Sequence, residues 1–212
     1  MQPPKLTPEL TAHALADWPS DDPYLQGVMI DGGSLDDTWR HHPTIENSRV
    51  THGDFTALQA ERFEASDVVF RNCDFANVDL SHAAFYRVVF EQCRFTGTDL
   101  TGAYLRDVSF QGCQMALAWL PEVTAKTVHF TDCRLAGAEF SRGKFTQLRL
   151  VHCDLEGLGL LGLKLKGWDL TSCQFDAIGA DVTGLAGLKV TALQAEALAR
   201  RYLGLTVKPS SD

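Results

Sequence analysis

From Ile45 to Val190 every fifth residue is apolar, without a slip of register. The run includes Phe55, Phe70, Phe75, Leu80, Phe85, Phe90 and Phe95 and continues through Phe110, Phe130, Phe140, Phe145 and Leu185. Thirty successive apolar residues against a 45% background would arise by chance on the order of once in 10¹⁰ trials, so the period has a structural cause. A second, smaller set stands two places earlier: Phe63, Val68, Cys73, Val78, Ala83, Val88 and Cys93. Two side chains in every five therefore point inward. Neither a helix nor a flat strand has this period, so each five-residue unit forms one side of a coil and then turns. Glycines at 97, 102, 112, 137, 157, 162, 167 and 187, two places after the central residue, mark the corner, where positive φ is tolerated.

The cysteines give the number of sides. Cys73, Cys93, Cys113, Cys133, Cys153 and Cys173 recur every 20 residues, so four units make one turn, and each thiol stacks on the last at about the 4.8 Å inter-strand spacing. Gly53 and Gly33 continue the same column. The expected fold is all-β: a four-sided β-solenoid over residues 43-190 with 20 residues per coil, about 36 Å long at that spacing.

A solenoid exposes apolar surface and open backbone at both ends, which need caps or a partner. Thr7-Pro8-Glu9-Leu10 has the form of an N-cap followed by proline, which predicts a short helix through about Asp17. Arg40 breaks the apolar rule, so residues 1-42 are expected to be a helix followed by an irregular or looped-out capping segment. At the other end, in residues 191-212, Thr191 caps a predicted helix to about Leu203, with Gly204 as its stop and Leu205-Thr206-Val207 as a short strand in the tail. Leu193, Ala197, Leu198 and Tyr202 give that helix more than one apolar side, one to seal the coil and one to meet a second subunit. The expected homodimer interface adds Leu205 and Val207.

Charge and chemistry narrow the function. The net charge is −8, with 14 Asp/Glu against 5 Lys/Arg in residues 1-80 and 13 against 14 thereafter. Direct nucleic-acid binding is disfavoured, because reading phosphates requires positive potential, whereas an acidic face suits a basic partner. Asp54 and Asp74 lie 20 apart, as do Asp79 and Asp99, and so stack; Glu61, Glu64 and Asp67 flank them. Their alternative role is to bond the backbone of the adjoining turn. Lys126, Lys144, Lys164 and Lys166 cluster on another face. The cysteines stand in one inward line without a CxxC pair, which suits core packing and free thiols rather than a zinc site or disulfides. The glycines of Leu155–Gly162 are corner residues with no following GK[ST], His41-His42 is a solvated turn, and no nucleophile elbow occurs. No catalytic residue, metal or cofactor is expected. No apolar run reaches the roughly 20 residues that cross a bilayer, and the start carries no signal segment, so the expected location is the cytoplasm.

Units such as Cys73-Asp74-Phe75-Ala76-Asn77, Val78-Asp79-Leu80-Ser81-His82 and Cys93-Arg94-Phe95-Thr96-Gly97 resemble the A(D/N)LXX pattern of the pentapeptide-repeat superfamily, which implies a right-handed quadrilateral β-helix. The C-terminal stretch from Gly187 through Thr191, Arg201-Tyr202-Leu203-Gly204 and Val207 is similar to that of the Qnr and MfpA quinolone-resistance proteins. That resemblance implies a rod-like homodimer that mimics duplex DNA and occupies the DNA-binding saddle of DNA gyrase or topoisomerase IV, modulating the enzyme or conferring resistance to poisons such as fluoroquinolones. The repeat lacks the projecting loops of the Qnr branch and in this is more like MfpA. The competing expectation is a structural scaffold with an unrelated protein partner.

Overall fold

The structure, a computed structural model, describes residues 1–36 and 39–208, with the backbone alone at Glu61. The strands are β1 (Thr11–Ala12), β2 (Tyr24–Gln26), β3 (Val28–Asp31), β4 (Trp39–His41), β5 (Thr44–Thr51), β6 (Gln59–Glu61), β7 (Glu64–Arg71), β8 (Ala84–Glu91), β9 (Tyr104–Gln111), β10 (Thr124–Thr131), β11 (Lys144–Val151), β12 (Leu158–Gly159) and β13 (Ile178–Gly179). One α-helix, α1, spans Ala192–Leu203. All strand pairs are parallel; β5 and β7–β11 pair in succession with partners 20 residues apart, as in Phe70↔Phe90↔Phe110↔Phe130. The result is a β-solenoid of about 8 turns.

Each eight-residue strand covers two sides of the coil and bends at its fourth residue, which is left-handed: Asn47, Asp67, Arg87, Asp107, Thr127 and Gln147 have φ between 45° and 57°. Glycine is thus not the rule at the corners. Among the described residues 18 non-glycine side chains adopt positive φ, all at the same place in the five-residue unit, a conformation that ordinarily costs on the order of 1–3 kcal/mol. Stacked coils hold it there by bonding each corner amide to the next turn, as in Asn72 N–H to Glu91 O (2.9 Å) and Asn77 N–H to Thr96 O (3.0 Å).

The two inward residues of each unit fill the coil. Phe70, Phe90, Phe110 and Phe130 stack at 4.9–5.1 Å between centroids, and Phe55, Phe75 and Phe95 form a second column at 4.5–5.0 Å. The columns meet edge to face, with Phe90 and Phe95 at 5.0 Å and 88°, the arrangement aromatic quadrupoles favour. The small inward position is more than filler. Cys113 Sγ points at Phe90 O (3.5 Å), its ladder neighbours make the same contact, and Thr98 Oγ1 donates to Phe75 O at 2.7 Å. The six thiols are free and buried.

The N-terminal segment departs from expectation in two ways. No helix forms at Thr7; Thr11 N–H instead donates to Gly27 O (2.8 Å) and His13 N–H to Met29 O (3.0 Å), laying β1 on β3, and only a 3₁₀ turn at Leu15–Asp17 remains. A short helix is too costly to nucleate when its amides have better partners in the coil. The described residues 23–36 and 39–42 are not looped out either. β2, β3 and β4 join the stack, and Arg40 occupies the inward central position, 1% exposed. Its guanidinium donates to Trp18 O (3.2 Å) and Asp36 Oδ1 (3.0 Å) and lies 5.8 Å from the Trp18 ring centroid. The paired position in the next coil is Ala60, small enough to leave room for the long stem. Leu15 and Trp18, both buried, close this end of the core.

At the other end α1 forms as expected, with Thr191 and Gln194 in a capping box and Gly204 left-handed at φ 63°. Leu205–Val207 has no regular structure, so the expected short strand is absent. Residues 209–212 of the tail lie outside the described residues.

Candidate interaction surfaces

The aspartates just before the central residues are held by their own turns. Asp54 Oδ1 accepts from the Thr56 N–H and hydroxyl (2.9 and 2.6 Å), Asp74 from Ala76 N–H (2.9 Å), Asp79 from Ser81 N–H (2.9 Å) and Asp99 from Thr101 N–H and hydroxyl (2.7 and 2.5 Å). This is the backbone-bonding role, and it engages one carboxylate oxygen of each. Asp54 and Asp74 are ladder neighbours on one side, Asp79 and Asp99 on the adjoining side.

The second carboxylate oxygen often meets a cation one coil away. Asp74 pairs with Arg94 (3.1 Å), Asp154 with Arg134 (3.7 Å) and Asp169 with Lys189 (3.9 Å). The corner residues do the same: Arg142 with Glu122 (3.2 Å) and, least exposed, Arg87 with Asp67 through two bonds, one of them Nε to Oδ1 at 2.6 Å. Repulsion along the stack is thereby relieved at the steps where the sequence alternates sign. The 20-residue spacing that locates the like-charged pairs carries these opposite charges as well, and it is the signal by which they are found.

The seven acidic residues expected to face a partner do not form one patch. Asp54, Asp74, Asp79 and Asp99 share two adjoining sides, Glu64 begins β7 on a third, and Asp67 sits at a corner engaged with Arg87 and with the Lys5 N–H (2.8 Å). Glu61 ends β6, and its side chain lies outside the described residues. The exposed Lys126, Lys144, Lys164 and Lys166 all flank central residues of a single side, that of Ala125, Phe145 and Leu165. The rod is acidic towards its N-terminal half and carries a basic side towards the other.

The C-terminal helix seals the last coil with three residues one turn apart. Gln194 Nε2 donates to Leu170 O (3.0 Å) and Cys173 O (2.8 Å), Leu198 is buried, and Tyr202 donates its hydroxyl to Ile178 O (2.6 Å) while accepting from Ala180 N–H (2.7 Å). Leu170 O also accepts from the Cys173 N–H (3.0 Å), so the group Gln194 newly supplies with a donor is Cys173 O at the coil end, a role that its place in the capping box does not announce. Leu198 and Tyr202, expected at a dimer interface, are thus turned to their own coil. Leu193, Leu205 and Val207 of that set are exposed, as is Leu203, and Ala197 is half-buried. Beside the helix runs an open apolar groove of about 240 Å³ lined by Val182, Leu188, Val190, Leu198 and Tyr202 among others.

Among the described residues no group of three or more His, Cys, Asp or Glu side chains is placed to hold a metal ion. No helix of the described residues is long and apolar enough to cross a membrane.

Residues 62–120 match the family model described as the pentapeptide repeat region. Among solved structures, the chain is similar to a trypsin-treated variant of QnrB1, a plasmid-mediated fluoroquinolone resistance protein, with 19% identity over 87% of this chain and 99% of that one and a TM-score of 0.40. It is also similar to HetL, a pentapeptide repeat protein involved in heterocyst differentiation regulation in the cyanobacterium Nostoc, with 17% identity over 78% and 86% of the two chains and a TM-score of 0.42. A pentapeptide repeat protein from the Arabidopsis thaliana thylakoid lumen is 25% identical over 41% of this chain and 64% of that one, with a TM-score of 0.25. No curated protein matches the chain.

Proposed function

We propose that this chain, which carries a pentapeptide repeat region at residues 62–120, is a non-catalytic rod that binds a type II topoisomerase, DNA gyrase or topoisomerase IV, by presenting carboxylates in place of DNA phosphates. The observation that carries this reading is the pair of acidic ladders on adjoining sides, Asp54–Asp74 and Asp79–Asp99, each carboxylate fixed at one oxygen by its turn, with Asp74 also paired to Arg94 through the other. Rigid, repeated anionic groups on a narrow rod suit a basic, DNA-binding saddle, where complementary potential governs encounter and register. Binding there would modulate the enzyme or relieve its poisoning by fluoroquinolones. A homodimer through the C-terminal end, doubling the rod, would use Leu193, Ala197, Leu203, Leu205 and Val207, since Leu198 and Tyr202 are engaged within the chain.

A scaffold role towards another protein partner is favoured by a different observation. Asp67 and Asp74 are paired with arginines of the next coil, and the carboxylates are spread over several sides. The test common to both readings is supercoiling by purified gyrase with this protein titrated in, with and without ciprofloxacin. Inhibition or rescue supports the topoisomerase reading; no effect on gyrase or topoisomerase IV leaves the scaffold.

A further inference from the structure

Residues 1–8 lie along one corner of the coil and run against the direction in which it grows. Gln2 N–H donates to Asp107 Oδ1 (2.9 Å), Lys5 N–H to Asp67 Oδ1 (2.8 Å) and Thr7 N–H to Asn47 Oδ1 (2.8 Å), and Asn47 Nδ2 returns a bond to Thr7 Oγ1 (3.0 Å). The three acceptors belong to one column of left-handed corner residues, at φ 45°, 55° and 56°. Arg87, the column's remaining member between Asp67 and Asp107, is turned onto Asp67 and rests 3.8 Å from the Tyr86 ring centroid. Asp107 is 8% exposed and the outward-pointing Ser109 next to it 3%.

The dimensions of segment and column agree. Asn47 to Asp107 is three coil steps, about 14 Å at the inter-strand spacing; Thr7 to Gln2 is five residues, about 16 Å in a polyproline-type conformation. The composition agrees as well. Pro3, Pro4 and Pro8 have no N–H to satisfy, while the amides of Gln2, Lys5 and Thr7 each meet a side-chain acceptor, two of them carboxylates, whose hydrogen bonds are the stronger kind. Contact made through backbone amides reads the spacing of donors rather than particular side chains, as in other modes of extended-peptide recognition.

We propose that the corner column Asn47–Asp67–Arg87–Asp107 is a peptide-binding line whose resident ligand is the chain's own residues 1–8. It takes in trans an extended, proline-rich peptide with amides at the same steps. The line is separate from the Asp54–Asp74 and Asp79–Asp99 ladders and stands whether or not a topoisomerase is the partner. Most of the resident segment is exposed, and its hold is strengthened by tethering, so a free peptide competes with it at a local concentration of order millimolar.

The test uses the full chain with Lys5→Pro and Thr7→Pro, which removes two of the three donors, and a fluorescent peptide of residues 1–9 followed by anisotropy. The double variant is expected to bind the peptide at least tenfold more tightly than the unaltered protein, and adding Asp107→Ala is expected to weaken that binding about tenfold. Failure to bind by a folded double variant, or equal binding of a peptide with its prolines and Lys5 permuted, overturns the proposal. NMR hydrogen exchange on the unaltered protein provides a second test that needs no variant. The Lys5 and Thr7 amides should be protected and lose protection when excess peptide is added; random-coil exchange at both overturns it.

Discussion

Leu15 fills the place left by Gly53. A Cβ added at Gly53 would stand 3.3 Å from Leu15 Cδ2, as well as 2.9 Å from Phe55 Cε2 and 3.2 Å from Val50 Cγ1. The cysteine column therefore ends in glycine because the N-terminal cap takes up the space of the next side chain. Leu15→Ala is expected to cost about 2–5 kcal/mol, and Gly53→Ala about 1–3 kcal/mol through overpacking. Urea unfolding followed by circular dichroism measures both.

The Asp67–Arg87 pair makes stability depend on pH. Partial burial pushes the Asp67 carboxyl up, but bonds from the Arg87 guanidinium and the Lys5 amide, with the positive charges of the Arg87 and Lys5 side chains, outweigh this and leave it below the usual carboxylate value. A carboxyl lowered in the folded state stabilises fully above its unfolded value of about 3.9 and loses that contribution as pH falls through the folded one. Asp67→Asn is expected to destabilise by about 1–3 kcal/mol at pH 7. The gap to the unaltered protein should hold down to about pH 5 and shrink below about pH 3.9.

The six thiols are expected to be inert while the protein is folded. All are buried inside the coil, so a reagent in solution does not reach the thiolate, which is the reactive form. A chromogenic disulfide should titrate none of the 6 cysteines under native conditions and all of them in denaturant. Native-state labelling of any rung at the rate of a free thiol would contradict the packing.

Tyr202 and Leu193 separate the cap from the outer surface of the helix. Tyr202→Phe removes the hydroxyl that bonds Ile178 O and Ala180 N–H and is expected to cost about 1–3 kcal/mol. Leu193, 79% exposed, should tolerate Leu193→Glu within about 0.5 kcal/mol. If α1 joins two chains, that substitution also shifts the species seen by analytical ultracentrifugation from dimer to monomer.

The period of five and the 20-residue column are readable because every turn repeats the same inward pattern, and Thr191, Gln194 and Gly204 carry helix signals within a few residues. Thr7-Pro8-Glu9 carries the same kind of local signal, yet the Thr7 amide goes to Asn47 and the segment after it pairs with Gly27 and Met29, contacts that no local pattern announces. Arg40 keeps the place of a central residue although it breaks the apolar rule. Its charge conceals a long apolar stem, which Trp18 and the small Ala60 position accommodate. The acidic ladders follow from column arithmetic, and the same arithmetic applied to opposite signs, at 67 and 87, 74 and 94 or 122 and 142, locates the pairs that disperse them.

The central claim is tested most directly by gyrase supercoiling in the presence of the unaltered protein and of Asp79→Asn with Asp99→Asn. Asparagine retains a side-chain oxygen for the Ser81 and Thr101 amides while removing the outward charge, so the fold is preserved. The account predicts inhibition of supercoiling, or rescue from ciprofloxacin, by the unaltered protein at micromolar concentration or below, weakened at least tenfold in the double variant at equal thermal stability. Equal activity of the two proteins would contradict carboxylate mimicry, and no effect of either would contradict the topoisomerase as partner.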